Sequence, residues 1–407
     1  MSPATPAEPA DRVRPSGPAP GRDRSGPVRP GIADRLGLPY MDLSLAGAAL
    51  GLGILSTLIL AAATQTDIPD DPYYYAKRQG VYCLIGLIGL IAVSRIDYSR
   101  FRELRVGIYT LMCTLIALVF IFGFTARGSR RAFELPLFSF QPSELGKLLL
   151  VLALAGFVLD GVHRGTGARR TVRLLGLGLF PAALVFLQPD LGTSLVYGAI
   201  TLAVIYLAGV PWSHVATITG IVLASIALVL VVAPKIGVPG LQPYQVERLT
   251  SFLNPSQDPG DAGYQQNQAK IAIGSGERTG RGDQATQTRL AFVPERQTDF
   301  VYAVVGERYG FMGAGLILSL YALLVWRALR IVTLSKNTYG ALVAGGIAAA
   351  LLFQVFVNVG MNLGIMPITG IPLPLMSFGG SSVVSTLLAV GVLQSIHMQA
   401  RLSQAGR

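Results

Sequence analysis

Charge is scarce in this chain: 14% of its 407 residues are Asp, Glu, Lys or Arg, against roughly 25% in soluble domains. Cysteine is scarcer. The two present, Cys83 and Cys113, lie inside apolar runs, which excludes a disulfide framework and a cysteine-rich metal site. The three histidines, His163, His214 and His397, are far apart in sequence. They show no metal-ligand spacing, and neither a Walker loop nor a dinucleotide fingerprint occurs. No apolar core with a cleavage site lies within the first 30 positions, so the N-terminus does not have the form of a secretory signal. Catalysis, if present, falls to carboxylates and cations.

What is abundant is apolar sequence: 51% of residues are hydrophobic and the mean hydropathy is +0.52. A soluble protein with a net charge of +11 would suggest nucleic acid, but a soluble protein this apolar would not stay dissolved, and no nucleic-acid partner is expected. From position 43 onward, runs approach the ~20 residues that cross a bilayer as a helix. They lie at roughly 43–64, 79–94, 106–125, 143–159, 174–188, 191–209, 215–233, 300–326, 340–363 and 379–398. The second is short, and the fifth contains Pro181. The expected fold is an all-α integral membrane protein of about ten transmembrane helices.

Residues 1–41 are rich in Pro, Gly, Ala and Arg, a composition that cannot bury enough surface to offset its ordering entropy. They are expected to form a disordered tail ahead of a membrane domain over 42–400, with 401–407 as a short C-terminus. Orientation follows the Lys/Arg bias of the loops. With ten spans, Asp42 and the segments 1–41, 95–105, 160–173, 327–336 and 401–407 share one side and carry the whole +11, whereas the opposite side sums to zero. Both termini are therefore expected in the cytoplasm, with that face attracted to anionic membrane lipids. The long segment 234–299, between spans seven and eight, becomes an extracellular loop, and its Ile271–Gly276 stretch suggests a piece folded back on the bundle.

Ionisable groups at the edge of the hydrocarbon are costly and are functional candidates by default. Four places on the outer side stand out. In Gln141-Pro142-Ser143-Glu144-Leu145-Gly146-Lys147, Pro142 suits the first turn of a helix. Glu144 and Lys147 are three apart and can pair on one face; a plain ion pair at a helix entry is the competing reading. Arg127, Arg130 and Arg131 lie just upstream, against the positive-inside trend, so an anionic ligand competes with headgroup snorkelling. In Gln188-Pro189-Asp190-Leu191-Gly192 the carboxylate either caps the sixth span or serves the site. In Pro294-Glu295-Arg296-Gln297-Thr298-Asp299-Phe300, Asp299 is the last acid before a long apolar run. It is a candidate general base, and capping by Thr298 or Asp299 is the alternative. In Met366–Ser382, three Pro and three Gly join two spans with few charges; irregular backbone at that depth is tolerated where it is buried in protein or lines a cavity.

Taken together, the four places resemble the SEDS family (shape, elongation, division and sporulation). The resemblance runs from about residue 42 to 398. It rests on Asn358–Ser382 with its Pro-Ile-Thr-Gly-Ile-Pro-Leu-Pro and Ser-Phe-Gly-Gly-Ser-Ser, on Gln-Pro-Ser-Glu at 141–144, on Gln-Pro-Asp-Leu-Gly at 188–192 and on Pro-Glu-x-x-Thr-Asp-Phe at 294–300. Phe378 stands where the family usually has Tyr, and Glu277-Arg278 where it often continues with Gly. Tyr264–Gly276 is more similar to the RodA branch than to the FtsW branch.

The resemblance implies an inverting peptidoglycan glycosyltransferase of the bacterial cytoplasmic (inner) membrane. It implies polymerisation of lipid II at the outer face, for cell-wall elongation and cell shape, beside a class B penicillin-binding protein. The family's essential acid falls on Asp299, with Glu144, Lys147 and Asp190 in support. A lipid diphosphate leaves readily and needs charge neutralisation rather than a proton. The candidates are Arg127, Arg130, Arg131, Arg278 and Arg281, a divalent cation (Mg or Mn), or both; no organic cofactor is expected. Thr298, Ser377, Gly379, Gly380 and Ser381 complete the expected substrate site. The competing readings are a lipid II flippase, a division-type polymerase and a scaffold that only recruits the penicillin-binding protein.

Overall fold

Nine of the ten apolar stretches fall among residues that the computed structural model describes, and each is a helix. Those residues are 40–126, 129–134, 139–161, 167–214, 216, 217, 220 and 262–405. The expected tail, most of the seventh stretch and the first part of the long loop lie outside them. In chain order the helices are α1 Leu43–Ala63, α2 Tyr74–Ser94, a short α3 Ser99–Glu103, α4 Arg105–Phe122, α5 Pro142–Gly161, α6 Ala168–Leu187, α7 Leu191–Leu207, α8 Ala262–Ser275, a short α9 Thr286–Arg289, α10 Val301–Leu334, α11 Thr338–Leu363 and α12 Gly380–Ala405. Eight of them are long and apolar enough to cross a membrane, and α7, an apolar helix, falls just short of that length.

Local chemistry sets the boundaries. Asp42 caps α1 by accepting the Leu45 N–H, Asn337 caps α11 through Gly340, and Gly364 closes α11 in the left-handed conformation, as expected for these residue types. α2 begins at Tyr74, ahead of its apolar run, because its polar first turns have partners. Lys77 pairs with Asp71 (2.9 Å), and Gln79 Nε2 donates to Ser56 Oγ (2.8 Å). α6 runs straight through Pro181. The proline removes the N–H that would serve the Leu177 carbonyl, and the Tyr109 hydroxyl supplies the missing donor at 2.9 Å. α10 extends to Leu334 and breaks at Gly310 (φ 63°, ψ −160°). A side chain there would also meet the Arg278 carbonyl oxygen at 2.7 Å, so both the dihedral and the space require glycine.

α5, α11 and α12 are the most enclosed of the spans. α2 packs on α12, α1 on α10, α4 on α5, α6 on α7, and α11 on both α7 and α10. α2, α4 and α6 expose Leu84, Ile88, Ile121, Phe122 and Phe180 on their outer faces, the pattern of helices bathed in lipid. A small antiparallel sheet, β1 Phe124–Ala126, β2 Ser129–Glu134 and β3 Ser139–Phe140, joins α4 to α5 in the order β1-β2-β3. Phe124 pairs with Ala132 and Phe133 with Phe140. α8 folds back on the bundle, its Ala269 and Ala272 packing with Val293, Phe300, Ala303, Met361 and Ile368.

The buried polar groups collect at the two ends of the bundle. At one end Asp42 pairs with Arg327 and bonds to Gln394. The other end holds all four sequence motifs.

Candidate active site

The Pro/Gly segment between α11 and α12 is the hub on which the other three motifs hang. Ser377 Oγ donates to the Thr298 carbonyl (2.6 Å), and the Phe378 N–H donates to the Gln297 carbonyl (2.8 Å). Ser381 Oγ accepts the Gln141 N–H and donates to the Ser139 carbonyl, both at 2.8 Å. Gly192 lies so close that an added Cβ would meet the Thr369 carbonyl oxygen at 2.5 Å, so a side chain there would force the two segments apart. Ser377 also accepts the Leu373 N–H (2.8 Å), which closes the turn over residues 373–377. Gly379 is half-buried, and Gly380, buried, opens α12.

Asp299 sits in a turn that no regular helix supports. Glu295 adopts φ 50°, and its carbonyl accepts the N–H groups of Thr298, Asp299 and Phe300 at 3.0, 3.1 and 3.3 Å. The N-cap position of α10 is Phe300, with no side-chain cap of its own. Thr298 Oγ1 donates to Glu295 Oε2 (3.0 Å). The Asp299 carbonyl accepts from Asn358 Nδ2 (3.2 Å) and Asn362 Nδ2 (3.1 Å) of α11. Its backbone is thus pinned, and the residue is half-buried at the bundle end.

Glu144 and Lys147 do pair, at 2.7 Å, and both are buried. Lys147 Nζ also donates to Gln354 Oε1 (2.8 Å). Beside them lies a cavity of about 30 Å³, bordered by Ser385 and Thr386 as well, enough for one water. Asp190 caps the helix its motif opens and bonds to the neighbouring motif. Oδ1 caps α7 through the Thr193 N–H (3.0 Å), and Oδ2 accepts from Gln141 Nε2 (3.0 Å). Arg131, on β2, donates to the Pro189 carbonyl (2.7 Å) and so lies against the Asp190 turn. Arg130 neighbours it on the same strand, and Arg127 lies outside the described residues. Arg278 and Arg281 are exposed. Their segment packs on residues 306–312 of α10, where the Arg281 N–H donates to the Glu307 carbonyl (2.9 Å), and no described contact carries either side chain to Asp299.

The model of the family described as "Cell cycle protein" (FtsW, RodA, SpoVE) matches residues 41–402. The chain belongs to the FtsW/RodA/SpoVE family. It is 35% identical over 335 residues to "Stage V sporulation protein E" of Bacillus subtilis, covering 82% of this chain and 89% of that protein. It is 34% identical over 366 residues to "Peptidoglycan glycosyltransferase MrdB" of Escherichia coli K12, covering 89% and 95%. Among solved structures it is similar to a chain from a study of polymerisation and crosslinking by a peptidoglycan synthase complex, with a TM-score of 0.73, 32% identity and coverage of 88% and 98%. It is also similar to RodA of Thermus thermophilus, with a TM-score of 0.63, 29% identity and coverage of 88% and 96%. Membership in this family and the apolar helices make the chain a multi-pass protein of the bacterial inner membrane.

For a chain of the FtsW/RodA/SpoVE family, the structure adds residues that the motifs alone did not assign. Gln354, Asn358 and Asn362 are spaced i, i+4, i+8 inside the apolar run of α11. They form one polar stripe, with Gln354 on Lys147 and both asparagines on Asp299. Four residues of helix rise about 6 Å, so Lys147 meets the stripe roughly one turn deeper than Asp299. Amide residues at that spacing in a bilayer-length run were a readable signal. Glu307 is fully buried and accepts the N–H groups of Gln287 and Thr288 (2.8 Å each) and the Thr288 hydroxyl (2.6 Å), which anchors the 282–290 segment to α10. Glu277 takes φ 47°, the left-handed conformation that glycine adopts most easily. Among the described residues no three His, Cys, Asp or Glu side chains converge on a metal position.

Proposed function

We propose that this chain polymerises lipid II into glycan strands, with Asp299 as the general base. The observation that carries the reading is the treatment of Asp299. Its backbone is fixed by Asn358 and Asn362 at the entry to α10. The Asp299 carboxylate takes the proton of the acceptor sugar hydroxyl as that oxygen attacks the donor's anomeric carbon. The C–O bond to the diphosphate breaks on the opposite face, so the configuration inverts. The departing diphosphate carries the negative charge, and fixed cations stabilise it as it forms. Arg131, held against the Asp190 turn, is one candidate, with Arg130 beside it on β2; Arg127 is a candidate by sequence alone. Arg278 and Arg281 suit the approach of the lipid diphosphate. A Mg or Mn ion escorting the diphosphate would be held mainly by phosphate oxygens and one or two carboxylates, of which Asp299 would be one.

Orientation supports the same reading. The end that holds Asp299 is the one whose loops sum to zero charge, and the positive excess marks the opposite end as cytoplasmic. The gathering of the four motifs at one end favours an enzyme over a flippase, whose site would lie near the bilayer midplane. We assign the chain to elongation and cell shape, with a class B penicillin-binding protein supplying crosslinks; the similarity of Tyr264–Gly276 to the RodA branch supports that choice. The test is polymerisation of labelled lipid II by the purified pair, with transpeptidation blocked by a β-lactam. Glycan strands from the wild type, and none from Asp299→Ala in an intact complex, are expected. Full polymerisation by that variant would remove Asp299 as the base. Transfer of lipid II across vesicles without polymer would favour the flippase.

A further inference from the structure

Two arginines flank the Asp299 turn in sequence, and both reach the last carbonyls of α1. Arg296 Nε donates to the Ala63 carbonyl (3.2 Å), and its Nη2 pairs with Asp67. Arg308 Nη1 donates to the Ala62 carbonyl (3.2 Å), and its Nη2 pairs with Asp283. These carbonyls close a helix whose final acceptors lack intrahelical partners and carry partial negative charge. The N–H of Asp67, which would serve Ala63 in a continuing helix, donates to the Thr64 carbonyl instead. The two arginines differ in setting. Arg308 pairs with an aspartate that is 93% exposed, whereas the Arg296 and Asp67 side chains are 6% and 16% exposed.

The backbone from 295 to 300 takes its place from outside itself, since three N–H groups share the one Glu295 carbonyl. The hub holds Gln297 and Thr298, α11 holds Asp299, and Arg296 ties the same turn to α1. We propose that Arg296 is a positioning residue for glycosyl transfer: by gripping Ala63 and Asp67 at the end of α1, it fixes the turn that aims the Asp299 carboxylate at the acceptor hydroxyl. The inference rests on the reading of Asp299 as the base. Burial pushes the Asp67 carboxyl above its ordinary range even beside the guanidinium. A buried pair of this kind is weak evidence for stability and better suited to fixing geometry. Nε and Nη2 serve two different acceptors from one rigid planar fork, a geometry that the compact ammonium of lysine on its flexible stem does not hold.

The experiment compares wild type, Arg296→Lys, Asp67→Asn and Asp299→Ala in the complex with the penicillin-binding protein. Rates are normalised to the fraction of molecules that bind fluorescent lipid II. Displacements of about 1 Å can cost on the order of 100-fold, so Arg296→Lys is expected to lower kcat roughly 10- to 100-fold with KM within about twofold. Asp67→Asn, which keeps an acceptor but loses the charge, is expected to fall between that variant and wild type. Unchanged kcat in both variants, a rise in KM alone, or a lowered melting temperature with kcat per binding-competent molecule intact would each overturn the proposal. Asp299→Ala separates the two readings: if it polymerises, the base assignment fails. If it is inactive while Arg296→Lys turns over normally, only the positioning role fails.

Discussion

Lys147 and Glu144 show how a single residue type changes meaning with depth. On a solvated helix an i, i+3 pair contributes a few tenths of a kcal/mol. Here both groups are buried, and Lys147 divides its donors between Glu144 and Gln354. Removing one partner of such a pair leaves an uncompensated charge at a cost of about 3–5 kcal/mol, whereas removing both together is far milder. Lys147→Met is therefore expected to lower the unfolding transition in detergent strongly, and Lys147→Met combined with Glu144→Leu to recover most of the loss. If the pair serves catalysis, stability returns in the double variant and lipid II polymerisation does not. Normal polymerisation by the double variant would reduce the pair to a structural feature. The i, i+3 spacing made the pairing legible in advance. Its second partner, Gln354, was not, because the amide spacing within α11 shows a polar stripe but not which helix faces it. The same limit hid Arg296: its charge is visible in the sequence, but the direction in which a long flexible side chain points is not.

At the scale of elements, hydropathy located the spans because the bilayer imposes both length and composition. It erred where polar residues found partners inside a helix, as in the first turns of α2, and where a break hides inside continuous helix, as at Gly310. The β1-β2-β3 sheet escaped because strands of three, six and two residues give too short a pattern to show alternation. Pro181 is the most instructive element-level case, since a proline inside a helix removes a backbone donor and α6 continues through it. α4 compensates by placing the Tyr109 hydroxyl on the freed Leu177 carbonyl, the repair that lets a proline stand in a membrane helix. A double-mutant cycle measures this. Tyr109→Phe alone is expected to cost about 1–2 kcal/mol, since it leaves a buried acceptor unpaired. In a Pro181→Ala background, where the restored backbone N–H serves the same carbonyl, the cost is expected to fall to a few tenths. Equal costs in both backgrounds, measured by denaturing titration, would show that the hydroxyl does not repair the proline.

At the scale of the molecule, the four motifs were legible as separate places but not as one assembly. Sequence order separates Gln141 from Ser381 by 240 positions and Thr298 from Ser377 by 79, and only the packing of α5, α11 and α12 brings them to one end. The same packing gives the charge distribution its use. If the +11 lies on the cytoplasmic side, every residue of the assembly faces the opposite compartment, where a lipid-linked sugar and a crosslinking partner would have to meet it. Single cysteines test this in a background with Cys83 and Cys113 replaced by alanine. Asp70 and Gln404 are exposed and lie at the two opposite ends, Asp70 beyond α1 and Gln404 near the end of α12. Asp70→Cys is expected to react with a membrane-impermeant maleimide in intact cells, and Gln404→Cys only after permeabilisation. Inverted labelling would place Asp299 in the cytoplasm, and no polymerase of an externally displayed substrate could work from there.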